Sequence, residues 1–378
     1  MLIYVMVKYM KSVGIICEYN PFHNGHIYHI NKVKEMYPDY TIILVMSGNY
    51  TQRGEISLIS KWDKTSIALN YADLVVELPF PFSTQSADIF AYGSTEILKK
   101  LNVNALVFGA ESDYQSLYAV AKVQKEEKFN LLVKKYLNEG TNYPSALAKA
   151  SYELTGIKID KPNDLLGISY IKNLIDSNIE IKTIKRTNDF HNSNLNSNII
   201  SASTIRKLLL EKKDISKYIP NITKNKLKNL HFTEDYFPYL KYKIISEINN
   251  LNIYQTVDEG IENRIKKYIY NARSLDDLIN KVKSKRYTYN KIKRMFIHIL
   301  CSFTKEDALN MKKVEYIRVL GFNEKGKKYL NEVKKNLTIP LVTNYYKNKM
   351  FDFEIKVDML YHINEKDKEN EYGRKPIH

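Results

Sequence analysis

Five short runs rich in Ile, Val and Leu, set apart by helical patterns, limit what this chain can fold into. They are "SVGIICEY" (12–19), "TIILVMS" (41–47), "DLVVELP" (73–79), "NALVFGA" (104–110) and "IEIKTIKR" (179–186). Near-continuous apolar runs of this kind belong to strands buried on both faces. The stretches 25–36, 61–71, 85–101, 114–138 and 164–177 read as helices between them. Such alternation predicts a doubly wound, mostly parallel α/β sheet, with ligands beyond the C-terminal ends of its strands. From about 205 onward helical patterns take over, with a short strand pair expected near 314–320 and 338–344.

With 378 residues the chain can hold two domains. Its net charge of +16 is unevenly placed: residues 206–378 hold 37 Lys/Arg against 22 Asp/Glu, and the first 205 residues are nearly neutral. We therefore expect an N-terminal extension at 1–9, a catalytic α/β domain at 10–212, and a basic, mainly α-helical domain at 213–378 that meets a polyanion. The two cysteines, Cys17 and Cys301, rule against a disulfide framework or a cysteine-based zinc site and fit a reducing cytoplasm. "MLIYVMVKYM" is too short for a signal segment and reads as an edge strand or as residues upstream of a start at Met10. No later apolar run approaches the ~20 residues of a membrane span, so a cytoplasmic location and no membrane partner are expected. The sequence leaves the oligomeric state open.

"GIICEYNPFHNGHIYHI" (14–30) places His23, His26 and His29 where the first strand runs out. The chain turns at Asn20-Pro21, and Asn24 is suited to cap a helix that begins near Gly25. A helix N-terminus offers unpaired N–H groups and a positive dipole end to an anion. Gly25 lets a phosphate approach the backbone. His23 and His26 can donate hydrogen bonds to a phosphate whose charge grows in a transition state. Zinc could use the same spacing, but no acid or cysteine cluster completes a site, and no metal ligands are assigned. A capped helix with incidental histidines is the plain alternative. "ISASTIR" (200–206) supplies a second helix N-terminus, with the hydroxyls of Ser201 and Ser203 and the charge of Arg206 suited to an anion such as phosphate. Alone, it is an ordinary N-cap.

HxGH at the first strand-to-helix turn together with this late motif resembles the HxGH nucleotidyltransferase superfamily, which also includes class I aminoacyl-tRNA synthetases. The resemblance implies a Rossmann-like fold; Ala202 and Ser203 stand where Ser-Thr is commonest. "MSGNYTQRGE", "ADLVVELPFPFSTQSADIFAYGSTEIL", "FGAES", "PNDLLGISYIK" and "ISASTIRK", in this order, further resemble the bacterial tRNA(Met) cytidine acetate ligase family over roughly residues 10 to 300. The resemblance implies an ATP-dependent ligase that makes acetyl-adenylate from acetate and ATP. The acetyl group then passes to N4 of the wobble cytidine of elongator tRNA(Met), giving N4-acetylcytidine. Mg2+ is expected with the ATP. An ATP loop is implied over Ile16, Cys17, Glu18, Tyr19, Asn20, Pro21, Phe22, His23, Asn24, Gly25, His26, Ile27, Tyr28 and His29. Further nucleotide contacts fall at Gly109, Asn163 and Arg186, and catalysis at His23, His26, Ser201, Ser203 and Arg206.

Gln52, Arg53 and Lys61 are expected to border the crevice and hold pyrophosphate, acetate or the RNA end, with a solvated loop as the alternative. "KVKSKRYTYNKIKR" (281–294) has seven basic residues, no acid and two tyrosines. Lys285, Arg286, Lys291, Lys293 and Arg294 are expected on RNA phosphates, with Tyr287 and Tyr289 suited to stack on unpaired bases. Two other classes compete with the ligase: an adenylyltransferase of small phosphorylated substrates, and an RNA-binding protein with an inactive core. The basic half argues against the first, and the intact His23, His26, Ser201 and Arg206 against the second.

Overall fold

Seven strands form one sheet, in the order β5-β4-β1-β2-β3-β6-β7. The computed structural model describes residues 10–186, 198–365 and 371–378, so the expected extension 1–9 lies outside the described residues. The strands are β1 (Ser12–Cys17), β2 (Thr41–Ser47), β3 (Leu74–Leu78), β4 (Ala105–Ala110), β5 (Glu180–Lys185), β6 (Ile317–Phe322) and β7 (Leu341–Val342). The first five run parallel to one another, as their sequence pattern requires. In β2 every residue is buried. Ile43 and Val45 enter one core and Ile42, Leu44 and Met46 the other, because successive side chains alternate between faces. β5 departs from the expectation of burial on both faces: it is an edge strand whose Glu180, Lys182 and Lys185 are exposed.

The expected helix at 114–138 is two helices, Tyr114–Val123 and Glu127–Asn138, since the polar run "QKEE" (124–127) offers nothing to bury. A further helix, Tyr143–Thr155, follows. The late strand pair is present, and it extends the sheet. β6 pairs antiparallel with β3, and β7 parallel with β6. The helical residues share the sheet's core too: Tyr236, Ile279, Phe296 and Phe351 lie in one buried cluster with Val45, Val76 and Phe108. No described helix is long and apolar enough to cross a membrane.

Buried charges tie the late strand in place. Lys61, first residue of α2 (Lys61–Ala68; α1 is Asn24–Met36), has its Nζ 2.9 Å from both Glu77 of β3 and Glu371. Arg318 of β6 lies 2.6 Å from Glu371 and 3.6 Å from Glu77. β1 pairs with β2 on one side and β4 on the other, so strand order reverses between β1 and β4. The crevice beyond that pair is the switch point where open α/β sheets bind ligands.

Candidate functional site

The loop leaving β1 passes through a cis Asn20-Pro21 peptide and enters α1. Its cap is His23, where the sequence pointed to Asn24. His23 Nδ1 accepts the Gly25 N–H at 3.0 Å, and His26 Nδ1 accepts the His23 N–H at 3.2 Å. This reciprocal pair satisfies two helix-end donors at once. Asn24 instead donates from Nδ2 to the carbonyls of Asn198 and Lys217, each at 3.0 Å.

The two imidazoles lie 3.8 Å apart. Burial, followed by the charges of Arg186 and Arg206, lowers the pKa of His23 to about 3. Burial and the neighbouring rings hold His26 well below the usual histidine range. His29 falls to about 4, through burial and then Arg186. Neutral rings whose Nδ1 atoms accept must carry their proton on Nε2. His23 and His26 are thus locked as paired Nε2–H donors at a positive helix end, the arrangement that stabilises charge developing on an anion. Around them Cys17, Tyr19 and Phe22 are buried in the core and Tyr28 is exposed. Burial pushes the Cys17 thiol up to about 12, which leaves it inert as a nucleophile. Ile16 and Ile27 are half-buried, and Pro21 is buried.

The second motif lies against the first. Ser201 caps the helix Ala202–Leu210 by accepting the Thr204 N–H at 3.1 Å, and its Oγ is 2.8 Å from that of the exposed Ser203. A Cβ on Gly25 would stand 2.8 Å from Cε1 of the His23 ring and 3.2 Å from Ile199, so a side chain here would push the capping imidazole out of place. Arg206 donates from Nη1 to the Asn20 carbonyl at 2.7 Å and from Nη2 to Glu55 at 2.6 Å.

Gly109, Asn163 and Arg186 gather at the other wall, at the ends of β4 and β5. Arg186 lies along Gly109 and 3.5 Å from the Glu111 carboxylate, which also accepts from Asn163 Nδ2 at 2.6 Å. Asn163 is inside the helix Pro162–Leu174, whose N-cap is Lys161.

The loop 47–55 forms the rim. Glu18 accepts the Gln52 N–H at 2.7 Å, and Arg53 is exposed beside it. Lys61 departs from the expectation that it borders the crevice: it is 1% exposed, and its Nζ is taken up by the buried carboxylates of Glu77 and Glu371. The buried lysine that does brace the crevice is Lys64. Its Nζ reaches the carbonyls of Glu18, Ser47 and Gly48 at 3.0, 2.9 and 2.6 Å, joining the ends of β1 and β2, and burial brings its pKa down to about 8. Sequence reasoning missed it, as it missed Glu55 and Glu111; a lysine one helical turn after Lys61 was the available signal.

The basic run divides in space. Lys285 and Arg286 are exposed, and Lys291 lies 3.9 Å over the Tyr287 ring. Tyr287 cannot stack on a base: it is buried, with its OH donating to the Asp258 carbonyl. Tyr289 donates to Asp276. Lys293 and Arg294, in the helix Tyr289–Leu300, turn to the rim. Lys293 pairs with Glu55 at 2.6 Å, and Arg294 donates to the Gln52 carbonyl at 3.3 Å.

Among the described residues, the group with metal-ligand geometry is His231, His362 and Glu365, outside the crevice. There the carboxylate is hydrogen-bonded between the two rings at 2.7 and 2.8 Å.

A family model described as HIGH Nucleotidyl Transferase matches residues 10–375. The chain is 41% identical over 358 residues to a protein named tRNA(Met) cytidine acetate ligase from Anoxybacillus flavithermus, covering 89% of both chains. It is 37% identical to one of the same name from Caldicellulosiruptor saccharolyticus, covering 95% of both. Its fold is similar to that of apo Thermotoga maritima TmcAL, with a TM-score of 0.90 and 29% identity over 97% of this chain and 99% of that one. The same Thermotoga protein bound with α-thio ATP matches with a TM-score of 0.87.

Proposed function

The chain belongs to the HIGH nucleotidyl transferase family and, within it, to the tRNA(Met) cytidine acetate ligases, and we propose that it acetylates RNA through an acetyl-adenylate. In the first half-reaction an acetate oxygen bonds to the α-phosphorus of ATP, and pyrophosphate leaves with the electrons of the broken bond. The Nε2–H groups of His23 and His26 meet the charge growing on the phosphate oxygens. Ser201, Ser203 and Arg206 hold the β- and γ-phosphates, and Gly109, Asn163 and Arg186 border the nucleoside. In the second, N4 of the wobble cytidine of elongator tRNA(Met) attacks the acetyl carbonyl, AMP departs with its oxygen, and N4 gives up a proton. Adenylation turns a poor acyl donor into one that a ring-conjugated amine can attack.

Magnesium suits this site. Glu111 Oε2 is buried without a hydrogen-bond partner among the described residues, a hard oxygen of the kind the ion takes. When bound, magnesium neutralises phosphate charge. Residues 10–212 supply the nucleotide chemistry and 213–378 the RNA surface, with Lys285, Arg286 and Lys291 facing phosphates.

The observation that carries this reading is the pair of locked Nε2–H donors at the β1/β4 switch point, with a second helix N-terminus beside it. The test is incubation with ATP and labelled acetate, with and without elongator tRNA(Met), followed by digestion to nucleosides. ATP-dependent N4-acetylcytidine is expected, and its absence overturns the proposal. His26→Ala should abolish acetate-dependent adenylate formation and spare tRNA binding.

A further inference from the structure

We propose that Glu55 is a positioning residue that relays the charge of the basic helix Tyr289–Leu300 to the nucleotide crevice. The relay runs through Arg206 and rests on the reading of that residue as a phosphate partner. One carboxylate serves two cations. Oε2 accepts from Arg206 Nη2 and Oε1 from Lys293 Nζ, both at 2.6 Å. The three side chains are only 18, 18 and 12% exposed, so solvent and salt screen the pairs less than surface pairs.

The carboxylate cannot readily follow either cation away, because its backbone is clamped. Gly54 has φ +70°, and a Cβ there would lie 2.3 Å from the Arg294 backbone nitrogen. Thr51 and Glu55 exchange hydrogen bonds across the loop, and Arg294 holds the Gln52 carbonyl. Gln52 in turn donates to Glu18 at the end of β1.

Shared in this way, Glu55 leaves Arg206 with charge to spare for a phosphate. Take Lys293 away and the whole negative charge falls on Arg206, which then binds a triphosphate less well. Lys293 belongs to the basic run, so an RNA phosphate that draws it off returns Arg206 to Glu55 and loosens the phosphates in the crevice. By linkage, ATP weakens RNA binding to the same degree.

Equilibrium ATP binding to the full chain, without acetate, tests the relay in four proteins: unaltered, Lys293→Met, Glu55→Gln and the double variant. Lys293→Met should weaken ATP about fivefold, at the lower end of measured couplings, and should change nothing when Glu55 is already Gln. Elongator tRNA(Met) should reproduce the loss in the unaltered chain and leave Glu55→Gln unmoved. An equal loss in both backgrounds, or none in the unaltered background, overturns the relay. If Glu55→Gln does not fold, an Arg206→Met background replaces it: Lys293→Met should change nothing there if the relay runs through Arg206, and a loss equal to that in the unaltered chain overturns it. Failure of the unaltered chain to bind ATP or make N4-acetylcytidine would instead overturn the functional reading.

Discussion

Lys61→Met separates a structural lysine from a substrate-binding one. In the fold, Lys61 Nζ stands 2.9 Å from Glu77 and Glu371 and 3.7 Å from Asp358, all nearly inaccessible to water. Methionine fills similar space, so the loss is mainly electrostatic. Breaking a buried pair by removing one partner costs about 3–5 kcal/mol. The stranded carboxylate can escape by taking up a proton, and that route sets a ceiling. From an ordinary glutamate pKa of about 4.3, neutralisation costs roughly 3.7 kcal/mol at pH 7 and roughly 1 kcal/mol at pH 5. Arg318 still contacts both glutamates and lowers the figure further. Urea denaturation should therefore show a loss of about 3 kcal/mol at pH 7 that shrinks to about 1 kcal/mol at pH 5. ATP affinity of the folded variant should be unchanged. A loss below about 1 kcal/mol at pH 7 would refute the buried-pair reasoning. Weakened ATP binding with stability intact would return Lys61 to the crevice.

Glu354 in the same cluster has its carboxyl pushed up to about 8, by burial and then by Glu77. The stability it contributes is fully present below about pH 4, declines as pH rises, and is gone above pH 8, by at most about 1.4 kcal/mol per pH unit. Glu354→Gln should flatten that decline, and parallel stability curves for the two proteins would contradict it. In the crevice, the ring resonances of His23 and His26 should not titrate between pH 5 and 8, and an NMR midpoint near 6.5 would refute the locked tautomers. Because both pKa values are depressed, folding stability should fall as pH drops below about 6.5, where the unfolded chain takes up protons and these rings do not.

The α/β core was legible because it is written locally. Continuous apolar runs such as Ile42–Met46 can be satisfied only between two covered faces, and the helix start at Ser201 announces itself by its capping residue, whereas that at His23 does not. Edge position was not legible: "IEIKTIKR" reads as a buried strand until β5 is seen to have one neighbour. Nor was the placing of β6 against β3, since pairing partners are set by packing across the whole chain.

The presence of the first five strands, the two motifs at helix N-termini and the basic character of the later half follow from the sequence by itself, for each depends on neighbours along the chain. The work assigned to individual charges does not. Lys61, Lys64 and Lys293 are alike as letters, yet one neutralises a buried carboxylate cluster, one braces two strand ends, and one shares Glu55 with Arg206. A charge takes its meaning from burial and from the opposite charge within a few ångströms, and only the tertiary fold brings residues 55, 206 and 293 to that distance.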